Sequence, residues 1–375
     1  MRKLTVLQVL PALQSGGVER GTLEIAAHLV AQGHRSLVMS AGGRMVAELE
    51  AAGSTHIGWP VGRKSLLTLL LIPQLRELWR REQVDIVHVR SRFPAWVVYL
   101  AWKGMSPEHR PHLVSTVHGY YRPGCYSRIM TCGERVIVIS KTIQDYVQKA
   151  YHVEAGKLQL IYRGVDTSQY TPDYQPDAAW QQAWYAEYPQ TRGKRLLLLS
   201  ARLSRWKGAA AFVDMLRIVC RQYKDVHALL VGEIASDKQA FARTLQQKIH
   251  QAGLADSVTL TGYRKDVKQI MSMASIVYSL ATEPEAFGRT TVEALSLGIP
   301  VIGYQHGGVA EQLAALLPEG AVQVGNVAEA AMLTLNWLEH PPEVTPNTQF
   351  SLQVMQQRTL EVYQAVMADA GQGAS

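Results

Sequence analysis

Short apolar runs alternate with helix-like patterns along the first half of the chain. The helix-like segments repeat their apolar positions at the 3.6-residue period, and the runs between them have the length of buried strands. This alternation is typical of a parallel sheet with helices on both faces. The predicted strands are residues 4–10, 36–40, 86–89, 113–117, 136–139 and 158–161, and the predicted helices are residues 18–31, 45–52, 66–81, 95–103 and 141–151.

A second alternating series begins after an interruption that carries Pro172, Pro176 and Pro189. Proline ends regular structure, so residues 171–192 predict a connection with one short helix. The last segment with a helical period covers residues 352–367. The predicted strands of the second series are residues 195–201, 227–231, 258–261, 276–279 and 301–303, and its predicted helices are residues 208–222, 238–251, 267–273, 290–297 and 309–316.

The two series predict an α/β protein built from two doubly wound, Rossmann-like domains that face each other across a cleft. We expect an N-terminal domain over residues 1–170, a linker over residues 171–192 and a C-terminal domain over residues 193–351. A helix within residues 352–375 is expected to pack back on the first domain. Ligands bind at the carboxyl ends of the strands in such sheets, so the cleft is the expected site.

Composition supports a globular protein of more than one domain. The 375 residues are 47% hydrophobic and 18% charged, which excludes a disordered chain. The net charge of +7 suits acidic partners such as nucleotide diphosphates or anionic lipid. Nucleic acid is disfavoured, because no aromatic–basic strand pattern or helix-turn-helix is evident. The cysteines form no metal-like cluster, and as three they cannot all pair, which favours a reducing cytoplasm. No run has the length of a transmembrane helix, and the N-terminal apolar run is interpreted as a strand.

Two carboxylates lie around a predicted helix start in Glu285-Ala-Phe-Gly-Arg-Thr-Thr-Val-Glu293. Thr290 or Thr291 is the expected cap, and Gly298 predicts the end of the helix before a buried strand. Backbone N–H groups at a helix start bind anions. The stretch therefore suggests a ligand with both phosphates and hydroxyls, such as a nucleotide sugar. Taken alone, it slightly favours the alternative, a surface loop joined to a helix with two glutamates.

Two other loops of the second half carry cations after predicted strands. Arg202 and Lys207 can hold a diphosphate from two sides and stabilise its charge as it leaves, although a basic surface loop is the alternative. Arg264 is expected to flank a base or ribose, and ordinary turn chemistry explains its loop almost as well. The glycine turn in residues 303–311 is expected to line the same cleft.

The N-terminal half contributes a glycine pair and a histidine. Gly16 and Gly17 open the first helix and permit close approach of a ligand, or they simply form a tight turn. His118 follows a predicted strand and can donate to a sugar hydroxyl, act as a proton-transfer group, or have no role. His88 is interpreted as packing. Residues 60–82 predict a basic amphipathic helix that either docks on anionic lipid or, as we favour, packs on the core.

These motifs together resemble the retaining glycosyltransferases of family four, which have the GT-B fold. The Glu285-x7-Glu293 spacing and its surroundings match that family's signature. The match extends over almost the whole chain, through Arg202 with Lys207, Gly16 with Gly17, His118, and Arg163-Gly-Val-Asp166. The family often has Asn where this chain has Arg163. The N-terminal half also looks like bacterial transferases acting on the lipopolysaccharide core.

The resemblance implies a role for each site residue. Glu293 would bind the ribose and Glu285 the hydroxyls of the donor sugar, while Arg202 and Lys207 would hold the diphosphate with the N–H groups near Phe287 and Gly288. It implies retention of the anomeric configuration, with the leaving phosphate deprotonating the acceptor. It also implies that no metal is required and that the nucleotide sugar is a substrate rather than a cofactor, which fits the lack of an Asp-x-Asp sequence.

The expected function is the transfer of a hexose from a UDP- or GDP-sugar to a glycan or glycolipid of the cell surface. We expect a cytoplasmic enzyme, with peripheral contact to the inner face of an anionic membrane as an open question. A nucleotide-sugar epimerase on a related fold and a non-catalytic nucleotide-sugar binder are the alternatives. An epimerase would convert a donor sugar in the absence of any acceptor.

Overall fold

The chain forms two compact units, seen in a computed structural model that describes residues 2–14, 16–233 and 239–372. The first unit is Met1–Gly164 together with Leu352–Ser375, and the second is Val165–Ser351. Residues 171–192, for which we predicted a linker, lie within the second unit. None of the described helices combines the length and the apolar character that crossing a lipid bilayer requires.

The first unit is a seven-stranded parallel sheet in the order β3-β2-β1-β4-β5-β6-β7. The order reverses between β1 and β4, as it does in the Rossmann fold. The strands are β1 (Thr5–Val9), β2 (Arg35–Ser40), β3 (Thr55–Gly58), β4 (Ile86–Val89), β5 (His112–Val117), β6 (Arg135–Val138) and β7 (Leu158–Leu160), and the helices are α1 (Gly17–Ala31), α2 (Val46–Ala51), α3 (Leu71–Arg81), α4 (Arg92–Lys103), α5 (Cys125–Arg128) and α6 (Lys141–Tyr151).

Three parts of the first unit differ from the predicted pattern. The strand β3 was not predicted, because its four residues are too few for a periodic pattern and end in a glycine. The short helix α5 was not predicted either. The predicted helix 66–81 begins as a 3₁₀ helix over Leu66–Leu70 and becomes α-helical at Leu71. Pro73 lies in the first turn of α3, where its missing N–H breaks no helical hydrogen bond.

The second unit is a six-stranded parallel sheet in the order β10-β9-β8-β11-β12-β13. The order again reverses once, between β8 and β11. The strands are β8 (Arg195–Ser200), β9 (Val226–Val231), β10 (Val258–Gly262), β11 (Ala274–Ser279), β12 (Val301–Tyr304) and β13 (Ala321–Val322), and the helices are α7 (Ala178–Glu187), α8 (Ala209–Gln222), α9 (Gln239–Gln251), α10 (Val267–Ser272), α11 (Arg289–Ser296), α12 (Gly307–Leu316) and α13 (Val327–Glu339).

The second unit contains one strand and one helix that were not predicted. β13 has only two residues, which is too short for any periodic pattern. The helix α13 did have a start signal, because the side chain of Asn326 accepts a hydrogen bond from the Glu329 N–H. The predicted range 238–251 for α9 begins at Lys238, which lies outside the described residues.

The last helix, α14 (Leu352–Gln372), belongs to the first unit. Its buried residues, among them Met355, Leu360 and Tyr363, join one apolar cluster with Leu4 and Val6 of β1 and its surroundings. Burial of such side chains contributes about 1.5–3 kcal/mol each. His88 of β4 is buried and is hydrogen-bonded through Nδ1 to the Tyr363 hydroxyl and through Nε2 to Thr116 Oγ1, both at 2.6 Å.

Candidate active site

The candidate site in the second unit lies where the strand order reverses. Strands β8 and β11 are neighbours, so the loops that leave their carboxyl ends meet there. The first loop carries Arg202 and Lys207, and the second carries Glu285, Phe287 and Gly288. The N–H of Thr282 donates to the carbonyl oxygen of Trp206 at 2.7 Å and joins the two loops directly.

The most informative contact of this site is an ion pair between the two loops. Lys207 Nζ lies 2.8 Å from Glu285 Oε1, and the two side chains are only 14% and 18% exposed. Lys207 Nζ also lies 4.2 Å from the ring centroid of Trp206, within the range of a cation–π contact. Partial burial reduces solvent screening, so this pair is stronger than an exposed surface pair.

Glycines bring the backbone of these loops close together. Gly208 has φ +85°, and a Cβ there would clash with the carbonyl oxygen of Leu280. Gly307, at the start of α12, has φ +60°, and a Cβ there would lie 2.5 Å from the Glu285 carbonyl oxygen. The N–H of Gly308 donates to that same oxygen at 2.8 Å. The start of α12 therefore supports the loop that carries Glu285.

The helix α11 begins differently from the prediction. Its cap residue is Gly288 at φ +86°, with no side-chain capping bond, so the expected threonine cap is wrong. The hydroxyl of Thr291 is buried instead and has no hydrogen-bond partner within the described part of the chain. The end of the helix before Gly298, at φ +72°, is as predicted.

Glu293 projects from α11 one turn after its start. Arg289 Nε donates to Glu293 Oε1 at 2.9 Å, and the carboxylate is only 13% exposed. The spacing of the two glutamates thus places one carboxylate before the helix and the other on it. Buried Gln312 of α12 donates to the Phe287 carbonyl oxygen at 2.6 Å and fixes the backbone between them.

Two of the predicted cations lie apart from this ion pair. Arg202 is exposed, and among the described residues its side chain forms no ion pair with Glu285, the partner of Lys207. Arg264 is held by two carboxylates, at 2.9 Å from Glu187 of α7 and 2.7 Å from Asp266. These hydrogen bonds raise the pKa of Arg264, and the same guanidinium lowers the pKa of Asp266. Arg264 therefore holds α7 against the loop after β10, and its contact with a base or ribose stays a prediction.

The first unit places its predicted residues at the carboxyl ends of β1 and β5. Gly16 is the cap residue of α1, at φ +133°, and Gly17 opens the helix with no atom within 4 Å of a Cβ built there. His118 follows β5, and its Nδ1 lies 2.9 Å from Nη2 of Arg163. Sequence reasoning missed this contact. The signal that could have found it is the arginine at a position where the family often has asparagine.

His118 lies in a strongly positive environment. Burial is the largest cause that lowers its pKa well below the ordinary value, followed by the charges of Arg163 and Arg90 and the nearby His88. Burial also lowers the pKa of Arg90 to about 10, although that guanidinium donates to Gln8 Oε1 at 2.7 Å. His118 is therefore a neutral imidazole near pH 7.

Two family models match the chain, one in each half. The model described as Glycosyltransferase Family 4 matches residues 15–169, and the model described as Glycosyl transferases group 1 matches residues 181–349. The chain belongs to glycosyltransferase family 4. This confirms the resemblance drawn from the motif of the two glutamates and the residues around it.

Curated relatives of this family 4 member include enzymes that are named for different reactions. N-acetyl-alpha-D-glucosaminyl L-malate synthase from Bacillus anthracis is 25% identical over 252 residues, which cover 65% of this chain and 62% of the relative. The lipopolysaccharide core biosynthesis mannosyltransferase LpcC from Rhizobium leguminosarum is 28% identical over 152 residues, which cover 40% of this chain and 41% of the relative. The chain therefore spans less than two thirds of the length of these relatives.

Solved structures match over almost the whole chain. A glycosyltransferase from Rickettsia africae superposes with a TM-score of 0.86 at 28% identity, covering 98% of this chain and 99% of the other. The Anabaena protein HepE in complex with UDP-glucose gives a TM-score of 0.79 at 21% identity, covering 96% and 100%. These likenesses and the two parallel sheets confirm the predicted GT-B fold of two Rossmann-like domains.

Across residues 2–14, 16–233 and 239–372, no three or more His, Cys, Asp or Glu side chains are grouped so as to hold a metal ion. That the reaction needs no metal stays a prediction.

Proposed function

We propose that this protein is a retaining glycosyltransferase that moves a hexose from a UDP- or GDP-sugar to a glycan or glycolipid acceptor. The acceptor belongs to the lipopolysaccharide core or another cell-surface polysaccharide. The observation that carries the proposal is the ion pair of Lys207 with Glu285. The pair brings together an ammonium group, which can bind phosphate, and a carboxylate, which can accept hydrogen bonds from hydroxyls, in one small site of a family 4 chain.

The ion pair supports a division of roles at the bond that breaks. Lys207 Nζ would hold a diphosphate oxygen and stabilise the charge that grows on the leaving group. Glu285 would accept hydrogen bonds from hydroxyls of the donor sugar. Because the two groups are 2.8 Å apart, the junction of sugar and phosphate would lie beside the pair, within reach of both side chains. Arg202, exposed in the same loop, would bind the diphosphate from another side.

The start of α11 would bind the nucleotide. Backbone N–H groups near Phe287 and Gly288 lie at the positive end of this helix and would assist the two cations. The Glu293 carboxylate would accept from the ribose hydroxyls. Arg289 holds that carboxylate by its Nε contact, which limits the rotamers that must be ordered on binding.

The proposals that the anomeric configuration is retained and that no metal is required rest on the family 4 motifs. Two cations and a helix start supply the positive charge that a metal ion provides in other transferases. The leaving phosphate would deprotonate the acceptor hydroxyl. Uridine and guanosine sugars are the first donors to test, since HepE was solved with UDP-glucose and a relative is named as a mannosyltransferase of the lipopolysaccharide core.

Peripheral contact with an anionic membrane is part of the proposal, for an enzyme that acts in the cytoplasm. Leu67 and Leu70 of the 3₁₀ helix before α3 are 68% and 63% exposed, and Leu69 is 40% exposed. We call these three residues the leucine surface. Arg63 and Lys64 are exposed just before it. Apolar side chains beside cations are the combination that binds anionic lipid interfaces.

A panel of nucleotide sugars tests the proposed function. A ligand that binds the folded protein raises its melting temperature, so UDP-, GDP- and ADP-sugars are compared at equal concentration. We expect stabilisation by a UDP- or GDP-sugar and, with acceptor glycolipid, a product whose anomeric configuration by NMR equals that of the donor. Conversion of the donor sugar without acceptor would identify an epimerase instead, and binding without any reaction would identify a non-catalytic binder.

A further inference from the structure

The hydrogen bond between Arg163 and His118 determines which ring nitrogen of His118 carries the proton. Arg163 Nη2 lies 2.9 Å from His118 Nδ1. A guanidinium has only donors, so Nδ1 must be the acceptor and cannot carry a proton. A neutral imidazole has one protonated nitrogen, which leaves the proton on Nε2.

The protein maintains this contact through a glycine in α1. Gly21 is buried in the helix interior, where glycine costs about 1 kcal/mol relative to alanine. A Cβ at position 21 would overlap Nη1 of Arg163. The missing side chain therefore forms the slot in which the guanidinium lies, and it sets the direction from which Arg163 reaches His118.

The second ring nitrogen has no such partner. His118 Nε2 is closed from solvent and makes no hydrogen bond within the described residues. A buried donor without a partner is costly, by about 1–3 kcal/mol. A site that maintains such a donor is suited to an oxygen acceptor on a ligand.

We infer that Arg163 is a positioning residue that fixes His118 as a neutral imidazole with its proton on Nε2. His118 then serves as a hydrogen-bond donor, and its Nε2 is not available as a base. Of the two roles that the sequence left open for this histidine, the geometry selects hydrogen-bond donation. Its consequence for sugar transfer rests on the proposed function, but the protonation state itself does not.

The charges around His118 all act in the same direction. Arg163 after β7, Arg90 after β4 and His88 of β4 each lower the pKa of His118, and burial lowers it most. The backbone N–H of His118, not a ring nitrogen, donates to the Tyr121 hydroxyl at 3.3 Å. Glu24 and Tyr363 act on Arg90 rather than on His118. Loss of Arg163 removes a cation and so raises the pKa of His118.

Nitrogen NMR of the full-length protein labelled at histidine reads the proton position directly. The ring of His118 is assigned by the signals that disappear in His118→Gln. In the wild type we expect a protonated Nε2 and an unprotonated Nδ1 at pH 7. In Arg163→Met, which keeps an unbranched side chain but removes the donors, we expect mixed protonation of the two nitrogens. Arg163→Lys retains a donor and should restore much of the wild-type pattern.

A second variant tests the same inference without removing the arginine. Gly21→Ala should displace the guanidinium and give the spectrum of Arg163→Met. Gly156→Ala and Arg221→Asn are the controls, because a Cβ at Gly156 meets open space and Arg221 is exposed. A wild-type spectrum with the proton on Nδ1, or unchanged His118 signals in both Arg163→Met and Gly21→Ala, would overturn the inference.

Enzyme kinetics separate a positioning role from a structural one. At neutral pH the Met variant lets Nε2 lose its proton, whereas at lower pH the imidazolium donates from both nitrogens. The kcat/KM of Arg163→Met relative to wild type should therefore rise as pH falls, and a constant ratio would contradict the positioning role. If no nucleotide sugar binds but the tautomer changes in Arg163→Met, the proposed function fails and the inference stands. If a nucleotide sugar binds but the tautomer does not change in Arg163→Met, the proposed function stands and the inference fails.

Discussion

Lys207 and Glu285 meet at 2.8 Å although they lie in different loops far apart in the sequence. Their contact follows from the pairing of β8 with β11, which brings the two strand ends side by side. Two oppositely charged groups at the switch point of a Rossmann-like sheet can bind the two ends of a sugar–phosphate bond. This relationship makes the proposed donor site testable one residue at a time.

Substitution of Lys207 by alanine tests the role of this cation in transfer. Loss of a preorganised positive group at a leaving phosphate lowers kcat by roughly 10²–10³. We expect a loss of that size in kcat, measured by steady-state transfer from the donor identified in the melting screen. Lys224→Ala is the matched control, since Lys224 is exposed just after the end of α8. Equal losses in both variants would mean that the effect is not specific to the site.

Glu293 is expected to act on binding rather than on chemistry. Glu293→Gln keeps the shape of the side chain but removes the charge that orders Arg289 and would accept from ribose. Hydrogen bonds to charged groups contribute about 1.5–3 kcal/mol, so the Kd for UDP or GDP should rise by more than tenfold. Calorimetric titration with the free nucleotide measures this, and Glu311→Gln on the neighbouring helix α12 serves as the comparison. An unchanged Kd would show that Glu293 does not bind the nucleotide.

The glycine at the start of α12 should be essential for the loop that carries Glu285. Gly307→Ala places a Cβ at φ +60° and 2.5 Å from the Glu285 carbonyl oxygen. The backbone conformation alone costs about 1–2 kcal/mol, and the clash adds to it. Gly325→Ala is a matched control, because Gly325 has φ +80° with open space around its Cβ. Urea unfolding should show the larger loss for Gly307→Ala, and activity should be lost only there.

The leucine surface gives a prediction for membrane contact. Leu67→Ser with Leu70→Ser removes two exposed apolar side chains, each worth about 1.5–3 kcal/mol when buried in an interface. Binding to vesicles containing anionic lipid should weaken by more than tenfold, and binding by the wild type should weaken in high salt. Met332→Ser, at a residue that is 65% exposed in the second unit, should have no effect. Failure of the wild-type protein to bind anionic vesicles would refute the membrane contact.

Acid stability should depend on His227 in β9. Burial lowers its pKa to about 4, while the unfolded chain has the ordinary value near 6.5. Between these values the unfolded state binds a proton that the folded state does not, so stability falls as pH falls from about 6.5 to about 4. His227→Gln should flatten this dependence in urea unfolding, and His250→Gln, on the exposed end of α9, should not. Parallel curves for all three proteins would show that His227 does not titrate as described.

The periodic pattern predicted most of the fold because nearly every strand is a short buried run between longer helices. β4 and α6 have their predicted bounds. The failures are physical in origin. β3 is stabilised by its pairing with β2 rather than by its own residues, and β13 is two residues added to the edge at β12. Such edge strands depend on tertiary context, which a local pattern does not contain.

The sequence also predicted which residues form the candidate site better than it predicted which of them contact each other. The motif spacing identified Lys207 and Glu285, but only the order of the strands shows that they touch. The capping prediction failed because the helix begins at Arg289, with Gly288 in a left-handed conformation at the cap position, so both threonines lie inside the helix. Arg163 was noticed only as a departure from the family, since its contact with His118 joins the loops after β7 and β5.

Calorimetric titration of UDP-glucose and GDP-mannose into four proteins measures whether Lys207 and Glu293 bind the donor. The wild type, Lys207→Ala, Glu293→Gln and Lys224→Ala are compared at the same pH and salt concentration. We expect one donor to bind the wild type and Lys224→Ala alike, and to bind each of the other two variants at least tenfold more weakly, roughly 1.4 kcal/mol. Equal affinity in all four proteins, or no binding of either donor to the wild type, would contradict this expectation.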